Sequence, residues 1–108
     1  MAGTPEGKVK DLVKKLLKAH GAYAHWPVQA GYGSPTLDCN GSHHGMRFDI
    51  ETKAPGKHLT PRQELIRTDL LAAGGPVFVI GEKKLGKKNY SGLRELHEWL
   101  STTARAKR

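Results

Sequence analysis

Val9, Leu12, Val13, Leu16 and Leu17 recur at three- and four-residue spacings, the pattern of a helix with one apolar face. Thr4-Pro5-Glu6 ahead of them supplies a hydroxyl N-cap, a proline at the first helical position and an acid favourable to the dipole. Gly21 supplies the stop. Lys8, Lys10, Lys14, Lys15 and Lys18 fill most of the remaining circumference. Glu6 lies three residues before Val9 and seven before Val13, so it extends the apolar stripe and not the lysine face.

Beyond this helix the spacing changes to that of strands. Tyr23 to Ala30 is rich in aromatic and branched residues and predicts a first strand, with Pro27 demanding an edge position or a bulge. Gly31 to Pro35 reads as a turn, and Thr36 to Cys39 as a short second strand. Asn40-Gly41 opens a connection running through Gly45, so the hairpin to the third strand, Met46 to Ala54, has a loop longer than two residues. Met46, Phe48 and Ile50 share one face of that strand.

Pro55-Gly56-Lys57 breaks the strand, and Thr60-Pro61-Arg62-Gln63 repeats the helix-start signature, with Gln63 placed for a capping box. Leu65, Ile66, Leu70 and Ala73 form the expected buried stripe, and Gly74-Gly75 ends the helix. Val77 to Ile80 is a continuous apolar run, which predicts a strand covered on both faces. Glu82 to Asn89 reads as a lysine-rich loop, Ser91 to Leu100 as a last helix, and residues 101–108 as a frayed basic tail. The order is α-β-β-β-α-β-α: a single α/β domain over residues 1–108, with a mixed four-stranded sheet flanked by helices. The passage from Glu51 to Ile80 suits a right-handed parallel crossover.

Charge narrows the choice of partner. The 108 residues carry 18 Lys and Arg against 10 Asp and Glu, a formal charge of +8. So large a charge on so short a chain favours a polyanion, nucleic acid before membrane. The single cysteine, Cys39, excludes an internal disulfide and fits a reducing compartment. No apolar run reaches a membrane span and the N-terminus lacks a secretion-signal core, so the expectation is a cytoplasmic protein without a membrane partner.

Chemistry concentrates between Ser34 and Gln63. On an extended strand Glu51 and Lys53 point to the same side. With Asp38 on a neighbouring strand, two carboxylates and an ammonium converge. Asp38, Glu51 and the Thr52 carbonyl form an oxygen set suited to Mg²⁺ or Mn²⁺, and Lys53 would serve a water beside it. Glu6 could join from the first helix, and Gln63 could orient the same water. The alternation Arg47, Asp49, Glu51, Lys53 equally fits the solvent face of any half-exposed strand. Cys39, His43 and His44 lack the four-ligand spacing of a structural zinc site. The histidine pair reads as a polar turn or a phosphate contact, and Cys39 as a half-buried thiol. Lys57, Arg62, Lys83, Lys84, Lys87 and Lys88 are candidates for DNA phosphates, and Tyr32 or Trp26 for stacking on an unpaired base.

Asp38, the Glu51-Thr52-Lys53 triplet, and the Lys53-Ala54-Pro55-Gly56 to Leu59-Thr60-Pro61-Arg62-Gln63 continuation together resemble the PD-(D/E)XK nuclease superfamily. The closest resemblance is to its small stand-alone VRR-NUC branch in phages and bacteria, and the Gly74-to-Ile80 run fits it too. Family members often carry proline directly before the aspartate; here Thr36-Leu37 separate Pro35 from Asp38. The resemblance implies a restriction-endonuclease-like core and a Mg²⁺- or Mn²⁺-dependent deoxyribonuclease. Asp38 and Glu51 would be metal ligands, Lys53 would serve the nucleophilic water, and Glu6 and Gln63 would be auxiliary. It further implies action on Holliday junctions or other branched DNA by a homodimer, because two opposed strands are cut. A single-strand exonuclease and a non-catalytic DNA-binding module are the alternatives.

Overall fold

A computed structural model describes residues 3–28 and 36–106. Helix α1 spans Pro5–Ala19, with the Thr4 hydroxyl accepting from the Gly7 N–H at 2.9 Å and Gly21 left-handed just past the C-cap. Strands β1 (Tyr23–His25), β2 (Cys39–His43) and β3 (Met46–Thr52) form an antiparallel meander. Helix α2 (Pro61–Ala72) crosses to β4 (Val77–Ile80), which pairs with β3 in parallel. The sheet order is β1-β2-β3-β4, the expected mixed four-stranded sheet. A small hairpin, β5 (Lys84–Gly86) and β6 (Asn89–Tyr90), precedes α3 (Leu93–Ala106).

The core lies between one sheet face and the two outer helices. Val9, Val13 and Leu17 of α1 and Leu96 and Leu100 of α3 pack with Cys39, Phe48, Ile50 and Ile80. Trp99 meets Phe48 and Phe78 through tilted ring contacts. Burial of side chains this size stabilises by about 1.5–3 kcal/mol each, which accounts for α1 and α3 docking where their apolar stripes face the sheet.

Several expectations are corrected. The second strand is Cys39–His43 and not Thr36–Cys39, because Asn40-Gly41 is strand interior and not turn. A Cβ on Gly41 would collide with the Tyr23 carbonyl and the Phe48 ring, so glycine is there to let β1 and the core approach. The hairpin turn is the two residues His44-Gly45, both left-handed, which is the geometry a two-residue loop needs. His43 is buried, with Nε2 3.2 Å from the Leu100 carbonyl, and so is no phosphate contact. β1 ends at His25, short of Pro27, on the expected sheet edge; Gln29 to Pro35, including the predicted Gly31–Pro35 turn, lie outside the described residues.

β3 stops at Thr52, before Ala54, and Met46 at its start is exposed. α2 has its predicted capping box but no buried residue; Leu65 is 69% exposed and Ala73 exposed, because the helix packs on the sheet mainly at β4. β4 is correspondingly an edge strand with Val77, Phe78 and Val79 half-buried, not one covered on both faces. The lysine-rich loop is the β5–β6 hairpin, turned through a left-handed Lys88. The expected frayed tail continues α3 to Ala106, where Thr103 is buried.

Candidate active site

The site is assembled where β3 runs past the chain entering β2. The Asp38 N–H donates to Glu51 Oε1 at 3.1 Å. In return Asp38 Oδ2 accepts from the Thr52 N–H at 2.9 Å and from the Thr52 hydroxyl at 2.7 Å. These bonds cross between Leu37-Asp38 and Glu51-Thr52, so the two acids are fixed relative to each other by backbone groups. The Thr52 hydroxyl also lies 3.3 Å from Glu6 Oε2, which brings α1 into the cluster. The stripe argument for Glu6 therefore holds.

Glu51 is the pivot. Its Oε2 accepts from Gln63 Nε2 at 3.0 Å and stands 3.7 Å from the Lys53 ammonium. Gln63 reaches it from the first turn of α2, while its Oε1 accepts from the Thr60 N–H at 3.0 Å. One side chain thus closes the capping box and holds the acid. Glu51 is 3% exposed and Asp49 likewise, which excludes the solvated-face reading at these two positions, while Arg47 on the same face is exposed. Asp49 is neutralised by a two-pronged contact from Arg47 at 3.0 and 3.3 Å.

Burial, followed by the Asp38 charge, raises the Glu51 carboxyl to about 7; the Lys53 ammonium and the Asp38 N–H oppose this without cancelling it. A buried carboxyl raised in this way is short of positive charge. The residues here that could hold a divalent cation are Asp38 and Glu51, whose carboxylate oxygens are of the hard kind that Mg²⁺ or Mn²⁺ takes. Among the described residues no cluster of three or more His, Cys, Asp and Glu side chains is arranged to hold an ion.

Lys10 was missed by sequence reasoning. It stands 3.9 Å from both Asp38 Oδ1 and Glu6 Oε2. The signal was its four-residue spacing from Glu6, which puts both on one flank of α1. Beside it, Lys14 covers the Trp26 ring at 5.1 Å, and Lys10, Lys14, Trp26 and Asp38 line a cleft of about 240 Å³. Lys57, Arg62 and Lys83 are surface residues, while Lys84, Lys87 and Lys88 line a groove on the opposite flank of α1. Tyr32 is outside the described residues. Cys39 is fully buried in the core, with neither His43 nor His44 turned into a zinc set.

No family model matches this sequence, and no curated protein matches it. A solved structure described as a "VRR_NUC domain" is similar over 95% of this chain and 97% of its own length, with a TM-score of 0.64 and 18% identity. The chain has the fold of a VRR-NUC domain, a restriction-endonuclease-like α/β fold.

Proposed function

We propose that this chain is a divalent-metal-dependent deoxyribonuclease that hydrolyses phosphodiester bonds, selecting branched DNA such as a Holliday junction. The observation that carries the reading is the Asp38–Glu51 pair held together by backbone bonds, with Lys53 and Gln63 on the same Glu51 oxygen. The likeness in fold supports it.

Asp38 and Glu51, with the Thr52 carbonyl, would hold Mg²⁺ or Mn²⁺. The bound ion would polarise a phosphoryl oxygen and lower the pKa of a water. Gln63 fixes the Glu51 carboxylate so that its rotamer does not have to be ordered at each turnover. Lys53 carries a positive charge beside the reacting phosphorus, where it stabilises the charge that develops as the water oxygen bonds and the ester oxygen departs. Glu6 and Lys10 form the α1 wall, with the Thr52 hydroxyl lying between Glu6 and Asp38. A chain this small has little surface for reading bases, so discrimination by DNA shape follows.

A panel of labelled junction, flap, duplex and single-stranded DNAs, incubated with Mg²⁺ or Mn²⁺, tests this. Paired internal nicks near the junction are expected. A ladder from one end would instead assign single-strand exonuclease action. Binding without cleavage of any structure by any divalent ion would leave a non-catalytic DNA-binding module. Sedimentation in the presence of junction DNA should show the homodimer that paired nicks require.

A further inference from the structure

The β5–β6 hairpin is not a loose loop. Tyr90 is 7% exposed and packed in the core, the Ser91 N–H donates to the Lys83 carbonyl at 2.9 Å, and the Lys83 N–H donates to Ser91 Oγ at 3.0 Å. This anchoring sets the hairpin against the flank of α1 that faces away from Asp38. A groove of about 360 Å³ lies between them, floored by Leu12 and Tyr90. Lys8 and Lys15 form one wall, Lys84, Lys87 and Lys88 the other, with Asp11 the single acid. All five lysines are exposed, and none has an ion-pair partner among the described residues.

Five ammonium groups held around one groove repel each other, and folding gains nothing from bringing them together. A polyanion reverses the sign of that energy by replacing condensed counterions on its phosphates. We infer that this groove is a second phosphate-binding tract, which seats the DNA backbone at a distance from the cleavage site. The inference rests on the nuclease reading only for the identity of the partner as DNA. Helix α1 then stands between two DNA-facing surfaces: Glu6 and Lys10 on the flank toward Asp38, Lys8 and Lys15 on the flank toward the hairpin. Such contacts position a long or branched DNA and carry no base information.

Fluorescence anisotropy on a duplex of a few tens of base pairs, without divalent ions and over a range of NaCl, tests the groove. Each neutralised phosphate contact changes the slope of log K against log salt by about 0.9. Lys84→Gln/Lys87→Gln, and separately Lys8→Gln/Lys15→Gln on the facing wall, should each flatten the slope by about 2. Lys18→Gln/Arg94→Gln removes equal charge elsewhere and should move it by less than about 0.5. Thermal melts of each double check that these exposed substitutions leave the fold intact. Equal slopes for all three doubles, or wild-type slopes in both groove doubles, overturn the proposal. Because this readout needs no cleavage, a wild type that cuts no DNA would sink the nuclease reading while the slopes still decide the groove.

Discussion

The Asp38 amide donates to a Glu51 carboxylate oxygen at 3.1 Å, and the Asp38 carboxylate accepts from the amide that follows Glu51 at 2.9 Å. This reciprocal clasp holds two acids in contact although both would be negative in water. The cost of the repulsion shows in Glu51, whose proton burial and the Asp38 charge together hold more tightly, raising its pKa from 4.5 to about 7.

A pH dependence follows from that shift. Between 4.5 and about 7 the folded protein holds a proton on Glu51 that the unfolded chain has lost. The contribution is therefore fully present below the unfolded value and is lost as pH rises through the folded value, by at most about 3 kcal/mol. Thermal melts of the metal-free protein and of Glu51→Gln, compared across pH 4.5 to 7.5, check this through their difference. Mg²⁺ or Mn²⁺ should restore stability to the wild type at the upper end and do little for Glu51→Gln.

Asp38→Asn and Lys53→Ala separate architecture from chemistry. Asparagine keeps a carbonyl oxygen for the Thr52 amide and hydroxyl, so the fold should survive while metal-dependent cleavage disappears. Lys53→Ala removes the ammonium 3.7 Å from Glu51. Turnover should fall by about 10²–10³ with DNA affinity roughly retained. Single-turnover cleavage and anisotropy measure the two quantities; near-normal cleavage by either variant would mean the site lies elsewhere.

Gln63 has two duties that two substitutions can divide. Its Oε1 completes the α2 cap and its Nε2 holds Glu51. Gln63→Glu keeps the acceptor for the Thr60 amide but sets a carboxylate against Glu51, so cleavage should drop at least about tenfold while the helix stays capped. Gln63→Ala should also lose about 1 kcal/mol of stability. Equal activity in wild type and Gln63→Glu would reduce Gln63 to a capping residue.

The sequence made the helix starts legible because capping is local chemistry: Thr4-Pro5 and Thr60-Pro61 cap α1 and α2 as their residue types predict. Glu51 and Lys53 were legible because strand alternation puts them on one side. What failed depended on distant partners. Gly41 reads as a turn until the Phe48 ring and Tyr23 carbonyl that crowd it are known. Leu65 reads as core because an amphipathic pattern does not reveal how little of the sheet a helix covers. That the Thr52 amide and hydroxyl bind Asp38 could not be read from the triplet either, because it depends on where the chain entering β2 lies. The α1–hairpin groove was invisible, since Lys8 and Lys84 meet only in three dimensions.

Cys39 offers a probe of core integrity. Desolvation, reinforced by Asp49, pushes its thiol up to about 12, so the nucleophilic thiolate is nearly absent in the native state. A thiol reagent at pH 8 should label the folded protein at least about a hundredfold more slowly than the chain in denaturant. Rapid labelling of the folded protein would mean that the α1–sheet interface opens readily.

Gly81 links the fold to Lys53, the lysine proposed to serve cleavage. Its φ is 110°, and a Cβ there would collide with the Lys53 carbonyl and press on Val9 of α1. Gly56 also has a left-handed φ of 87° but open space around its missing Cβ. Gly56→Ala therefore measures the backbone cost alone, about 1 kcal/mol. Gly81→Ala adds the collision and should cost about 2–4 kcal/mol. Since the atom it displaces is the backbone of Lys53, cleavage by the folded fraction should fall as well, whereas Gly56→Ala should cut normally. Denaturant titrations and cleavage rates on the two variants check the pair. Equal losses in both would show that the Lys53 strand end has room to move away, and that its position is set from the Glu51 side alone.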